Sequence, residues 1–252
     1  MKSLQLTSTT SGSANCQMNL LLFTANDQIE PNTIRLRDAR LQHLLHVHKA
    51  TVGDTVRVGE LNGQMGQGEI LSIDKQEAII SFMLDQSPPE KLPLALVLAL
   101  PRPKMLRRIL RAVAEFGVAE LHLINSYRVE KSYWQTPVLS DDAIRGYLVQ
   151  GLEQSKDTML PQLACHKRFK PFVEDMLPGM TDDKKALLAQ PGDYPPCPRG
   201  LNSPTLLVIG PEGGFIPYEV DKLAQAGCEP VSLGPRILRV ENAVTSLLGR
   251  LF

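Results

Sequence analysis

The apolar positions change their spacing once along the chain, and that change divides it in two. From Leu20 to about Leu84 they fall in short runs, several of them alternating, the pattern of half-buried strands. Leu20 to Phe23 is a short apolar strand, Thr55-Val-Arg-Val58 alternates, and Gly66 to Ile73 and Glu77 to Phe82 flank an Asp74-Lys75 turn. Asn62-Gly63 is a strong hairpin signal, because both residues tolerate positive φ. One helical stripe (Leu41, Leu44, Leu45) interrupts the strands between Ala39 and Val47. Short strands with a single helix predict a small barrel.

A polar, proline-rich stretch at 86–93 follows and reads as a linker. Beyond it, strands alternate with helices: Leu94 to Leu100, Glu120 to Ile124, Lys185 to Ala189 and Leu206 to Ile209 are apolar runs. Helical patterns cover Pro103 to Phe116, Asp141 to Gln154 and the shorter Phe169 to Met176, and Tyr194 to Pro204 reads as a surface loop. Pro217 and Glu219 suit a first helical turn that ends at Gly227. A strand near Pro230 to Leu233 and a last helix from about Asn242 to Phe252 complete the pattern. This alternation predicts a parallel sheet covered on both faces.

Composition narrows the class. Apolar residues are 43% and charged residues 21%, as in ordinary globular proteins. Lys plus Arg and Asp plus Glu are 27 each, so nucleic-acid binding has to rest on local patches. No apolar run reaches the ~20 residues of a membrane span. Residues 1–17 are rich in Ser and Thr and lack the apolar core of a secretory signal; they read as a disordered extension, with Met18 a candidate initiator. Cys16, Cys165, Cys197 and Cys228 are far apart, which fits a reduced, cytoplasmic protein.

Two stretches carry candidate chemistry. Leu206-Leu-Val-Ile209 breaks into Gly210-Pro-Glu-Gly-Gly214 before a helix start, and Ser232-Leu-Gly-Pro-Arg-Ile-Leu-Arg239 follows the next strand. Glycines let a ligand approach the main chain closely, and open α/β sheets bind ligands at the ends of their strands. Neither loop is a dinucleotide fingerprint or a P-loop. Either alone is an ordinary tight turn; together they predict two walls of one small-molecule pocket. A second feature is the helix at Pro103–Phe116. Met105, Leu106, Ile109, Leu110, Val113 and Phe116 form one face, while Lys104, Arg107, Arg108 and Arg111 form the other, with Arg102 just ahead. A face with so few acids favours phosphate contact over a merely solvated surface. His43, His46 and His48 put only two imidazoles on one helical face and no carboxylate or thiol completes a set, so no metal site is expected.

Ile209-Gly-Pro-Glu-Gly-Gly-Phe215 followed by Leu233-Gly-Pro-Arg-Ile-Leu-Arg239 closely resembles the small-subunit ribosomal RNA uracil N3-methyltransferases of the SPOUT superfamily. The resemblance extends from Met18 through nearly the whole chain. It implies a trefoil-knotted α/β SPOUT methyltransferase domain over 94–252, preceded by a small PUA-like RNA-binding β-barrel over 18–85. It also implies S-adenosyl-L-methionine as cofactor, 16S rRNA in the small ribosomal subunit as partner, and a homodimer, with no membrane role. Cofactor contacts are expected at Gly210, Pro211, Glu212, Gly213, Gly214, Leu233, Gly234, Ile237 and Leu238, with Leu100 and Gln190 bordering the pocket.

N3-methylation of uracil requires loss of the imide proton and in-line attack on the methyl. A guanidinium suits the charge that grows on N3 and its flanking oxygens, so Arg239 or Arg236 is the expected catalytic group. Glu241 would orient that arginine or help take the proton; otherwise it is a carboxylate favoured at a helix start. The RNA contacts expected are His43, Lys49, Arg102, Lys104, Arg107, Arg108, Arg111 and Arg128, the last within Asn125-Ser-Tyr-Arg128 where the family has a Ser-Glu-Arg-like segment. Glu153-Gln-Ser-Lys156 matches a family segment that could line RNA or a dimer face, or could simply end a helix.

The chain departs from the family pattern in two places. Gln42-His-Leu-Leu-His-Val-His-Lys49 stands for His-His-Leu-x-x-Val-Leu-Arg, and Val240-Glu-Asn-Ala243 for Thr-Glu-Thr-Ala. These changes leave room for a paralogue with another RNA target. A non-catalytic RNA-binding or ribosome-assembly factor is the reading from a different class, and the intact glycine loop and Arg239 weigh against it.

Overall fold

The computed structural model describes residues 20–252, so the expected extension at 1–17 and the Met18 start lie outside the described residues. Two six-stranded sheets account for the fold. The first uses β1 (Leu21–Phe23), β2 (Gln28–Glu30), β3 (Thr33–Leu36), β4 (Thr55–Glu60), β5 (Met65–Ile73) and β6 (Ala78–Gln86), in the order β1-β4-β5-β6-β3-β2. Only β1 and β4 run parallel; the other pairs are antiparallel. β5 and β6 slip register at Met65/Gly66 and Ile70/Ser72, and such bulges curl a sheet. Gly66 has no substitute there, since a Cβ would lie 1.8 Å from the Met83 carbonyl oxygen.

The helical stripe at Ala39 becomes α1 (Ala39–His43), followed by a wider π-type turn over Leu44–His48. Asp38 caps α1 by accepting the Arg40 amide at 2.9 Å. Phe23, Ile34, Leu36, Leu41, Leu44, Val58, Ile70 and Ile80 fill the core of this half.

The second sheet contains β7 (Leu92–Ala99), β8 (Val118–Ile124), β9 (Gln162–His166), β10 (Lys185–Ala189), β11 (Thr205–Ile209) and β12 (Glu229–Val231). Its order is β12-β10-β11-β7-β8-β9, parallel throughout. The helices are α2 (Pro103–Glu115), α3 (Asp141–Ser155), α4 (Phe169–Pro171), α5 (Leu177–Thr181), α6 (Pro217–Gln225) and α7 (Val240–Leu251). Leu106, Ile109, Leu110 and Val113 are buried on α2 as the stripe requires, but Phe116 is partly exposed beyond the helix end.

Strand alternation lets β1 serve both cores. Leu21 and Phe23 face the first, while Leu20 and Leu22 join the second, because successive side chains point to opposite faces. The halves are further tied by backbone bonds, Leu20 N to Glu153 O at 3.1 Å and Asn62 N to Thr158 O at 2.8 Å. Lys91 Nζ reaches Asp157 Oδ2 at 2.6 Å.

Two expectations need correction. β2, β3 and β9 are absent from the sequence reading: β2 and β9 are short, edge-placed and polar at several positions, and β3 is only four residues long. Tyr194–Pro204 is not wholly a surface loop either. Cys197 is buried; its amide donates to Ser232 O at 2.8 Å and its carbonyl accepts Arg250 Nε at 2.7 Å. The middle of this loop is therefore held between the strand end at Ser232 and the last turn of α7.

Candidate active site

In the parallel sheet Ala189 pairs with both Ile209 and Val231, so β10, β11 and β12 end level with one another. The three loops that leave these ends enclose a cleft of about 640 Å3, mouth included. Gln190 and Pro191 line it from the first loop. Gly210, Pro211, Glu212 and Gly214 line it from the second, and Leu233, Gly234, Arg236, Ile237 and Leu238 from the third; Val240, Ala243 and Leu247 of α7 close its floor. The two glycine-proline loops thus meet in one cleft.

Local chemistry fixes each wall. The Gly214 amide donates to Pro211 O at 2.8 Å, with Gly214 at φ 72°. Gly234 sits at φ 112°, and a Cβ there would touch nothing within 4 Å. Its amide donates to the buried Ser232 Oγ at 3.1 Å. Sequence reasoning missed Ser232, although a serine two residues before a turn glycine is a known turn device.

Glu219, which the sequence marks only as a helix-start residue, is a carboxylate just 3% exposed. It accepts the amides of Ile216 at 3.1 Å and Tyr127 at 2.7 Å, pinning the start of α6 to the loop after β8. The signal was present in its position three residues after the residue that precedes the helix, where a Glu reaches back to the backbone. In the same region Arg128 Nη1 donates to the Gly213 carbonyl, and Arg102 N donates to Glu212 Oε1 at 3.0 Å.

Arg236 reaches the cleft lining, and Arg239 stands between lining residues as the exposed N-cap of α7. The Arg239 guanidinium makes no hydrogen bond or ion pair among the described residues. Glu241, half-buried in the first turn of α7, lies outside the lining. Leu100 is fully buried, and Gly213 is turned to Arg128, so neither lines the cleft. Ile237 is 81% and Leu238 38% exposed at its rim, apolar surface that a ligand with an apolar or aromatic face would cover.

The basic residues separate into groups. Arg102, Lys104, Arg107 and Arg108 are exposed along α2, whose start is tied to the glycine loop by the Arg102–Glu212 bond. Arg111 turns instead to α3, donating to Gln150 Oε1 at 2.7 Å with its guanidinium 4.9 Å from the Tyr147 ring centre. His43 lines a groove between the two halves with Arg40, Gln150, Glu153 and Gln154. Burial raises the Glu153 carboxyl above its ordinary value, against the opposing pull of the Leu22 amide and Arg40. His43 Nε2 lies 3.0 Å from His48 Nε2; burial, then the His43 charge, lowers the His48 pKa. Lys49 is exposed in a left-handed conformation. No cluster of metal-ligating side chains occurs among the described residues, and no described helix is long and apolar enough to cross a membrane.

A cleft at the ends of parallel strands, with a basic helix tied to one of its loops, is the arrangement of an α/β domain that binds its ligand at strand ends. The model of the RNA methyltransferase domain matches residues 88–251, and the chain belongs to that family. Its relatives include a protein of Treponema pallidum named ribosomal RNA small subunit methyltransferase E, 29% identical over 237 residues (90% of this chain, 87% of that one). The protein of Borreliella burgdorferi named ribosomal RNA small subunit methyltransferase E 1 is 26% identical over 90% of this chain and 94% of its own. Among solved structures, a ribosomal RNA small subunit methyltransferase E of Neisseria gonorrhoeae bound to S-adenosyl methionine has a TM-score of 0.71 at 19% identity, covering 90% of this chain and 95% of that one. A methyltransferase of Legionella pneumophila with bound cofactor has a TM-score of 0.72 at 20% identity, with 92% and 95% covered.

Proposed function

We propose that the protein methylates N3 of a uridine in 16S rRNA of the small ribosomal subunit, using S-adenosyl-L-methionine. The observation that carries this reading is the joining of both glycine-proline loops in one cleft, with the start of α2 bonded to one of them. A small ligand and a phosphate backbone then approach the same edge of the sheet.

The residues present fit the cofactor. Gly214 and Gly234 leave main chain open to a purine edge, with open space where any other residue would place a Cβ, whereas Gly210 makes room for the Phe215 ring. Ile237 and Leu238 offer apolar cover, and Gln190 and Glu212 offer polar contacts. When bound, the cofactor supplies an electrophilic methyl on a sulfonium, so the protein chiefly positions the partners. Arg239, with Arg236 beside the cleft, stabilises the negative charge that develops on N3 and its oxygens. Glu241 makes no ion pair with either arginine in this structure and is assigned to the substrate-bound state, where it orients Arg239 or accepts the imide proton.

The finer architecture belongs to the same reading. The first half, over 18–85, is a PUA-like barrel built on the curled sheet and holds RNA; a linker at 86–93, whose ends are taken up by β6 and β7, joins it to a trefoil-knotted domain over 94–252. The bonds from Cys197 to Ser232 and Arg250 tie the loop before β11 to the end of α7, the two segments that a knot of this kind would bring together. The protein works as a homodimer in the cytoplasm.

Calorimetry with S-adenosylmethionine and methyl transfer by Arg239→Ala test the assignment together. The variant should bind the cofactor as wild type does and lose roughly a hundredfold in kcat. Failure of the wild-type protein to bind the cofactor overturns the reading.

A further inference from the structure

Two tyrosines stand out on the surface beside the glycine loop. Tyr127 is 79% and Tyr218 50% exposed, and neither ring contacts another ring among the described residues. A lone exposed aromatic residue is unremarkable; these two are held on one support. The Tyr127 amide donates to the buried Glu219 carboxylate at 2.7 Å, and Tyr218 directly precedes Glu219 in the first turn of α6. One desolvated carboxylate thus fixes the backbone under both rings while the rings stay in solvent.

Cations flank them. Arg128 follows Tyr127 and bonds the Gly213 carbonyl, and Arg102 bonds Glu212 through its amide. The exposed Lys131 lies just beyond, while the Glu130 carboxylate accepts the Tyr133 hydroxyl at 3.0 Å. Exposed aromatic faces on a rigid support, interleaved with guanidinium groups, are what unpaired bases require: the rings stack on the bases and the cations meet the phosphates.

We infer that Tyr127 and Tyr218 form a stacking platform for unpaired bases of single-stranded RNA flanking the methylated nucleotide. The inference rests on the RNA methyltransferase reading and adds residues that hold the substrate rather than react with it. The cations beside the rings suit a phosphate backbone, and this favours RNA over a second copy of this chain.

The test uses the full chain and small subunits lacking the methyl mark. Tyr127→Ala should raise KM for subunits roughly tenfold, with kcat and cofactor affinity at wild-type values. Tyr127→Phe, which keeps the stacking face, should restore KM, and Tyr218→Ala should raise it more modestly. A wild-type KM for both alanine variants overturns the platform. So does a Phe variant as impaired as Ala, which would assign the effect to the hydroxyl, or a Tyr127→Ala variant that shifts sedimentation, which would assign the ring to a self-interface. Binding of a short oligouridylate separates the two levels of the account. If wild type transfers no methyl yet binds the oligomer, and Tyr127→Ala weakens that binding, the reaction assignment fails and the platform stands.

Discussion

The backbone amide of Arg102 and the carboxylate of Glu212, 110 positions apart in sequence, are hydrogen-bonded at 3.0 Å. Glu212 also lines the cleft, so one side chain sets both the start of the basic helix α2 and a wall of the cleft. Hydrogen bonds to charged groups contribute about 1.5–3 kcal/mol, and solvent access at this pair places its contribution toward the lower end. Glu212→Ala should therefore weaken S-adenosylmethionine binding by roughly tenfold and speed hydrogen exchange at the Arg102 amide. Unchanged affinity by calorimetry would show that the loop holds its shape without this bond.

Two glycines on α3 should respond in opposite directions. A Cβ on Gly151 would lie 2.4 Å from the Arg111 carbonyl oxygen and 2.8 Å from Ala114 Cβ, whereas Gly146 has nothing within 4 Å. Gly151→Ala should lower stability by about 1–3 kcal/mol by prising α3 from α2. Gly146→Ala should raise it by about 0.5–1 kcal/mol through the entropy of the unfolded chain. Denaturant melts of the two variants check both signs.

The Lys91–Asp157 pair joins the entry to β7 with the segment after α3, and the Asp157 side chain is only 6% exposed. Lys91→Met leaves that carboxylate with the Met159 amide at 2.9 Å as its remaining partner, at a cost of about 3 kcal/mol. Adding Asp157→Asn to Lys91→Met should recover part of the loss. A single variant that melts like wild type would contradict this role.

Acid should act on the first half through Asp27 and Asp38. Burial raises the Asp27 pKa, but hydrogen bonds from Arg40 and Thr24 outweigh it, and the net direction is downward. Asp38 is lowered, first by its hydrogen bond from Arg40. Groups with depressed folded pKa values stabilise above their ordinary value of 3.8 and lose that contribution as pH falls through the folded value. The first sheet should thus loosen below about pH 4, and Asp27→Asn should flatten the acid limb of a stability–pH curve.

How legible these features were in the sequence depended on whether one stretch of chain carries them. The branched run before Gly210, the apolar stripe of α2 and the Asn62-Gly63 turn are local, and each maps onto the structure within a few residues. β9 was hidden because an edge strand needs one buried face and little apolar length. Tyr194–Pro204 resembles any polar loop, since what buries Cys197 is the end of α7, more than 50 residues further on. Leu100 ends a strand beside the cleft, yet it points into the core, a distinction that strand ends do not reveal. Glu219 reads as a routine helix-start carboxylate and Ser232 as a routine polar residue until the partners they hold are seen.

The most direct measurement is the nucleoside product. Small subunits lacking the uracil N3 mark, incubated with the protein and S-adenosylmethionine carrying a labelled methyl, should yield labelled N3-methyluridine in their 16S rRNA on digestion and mass spectrometry. Label on any other nucleoside, or none from a protein that binds the cofactor, would contradict the account.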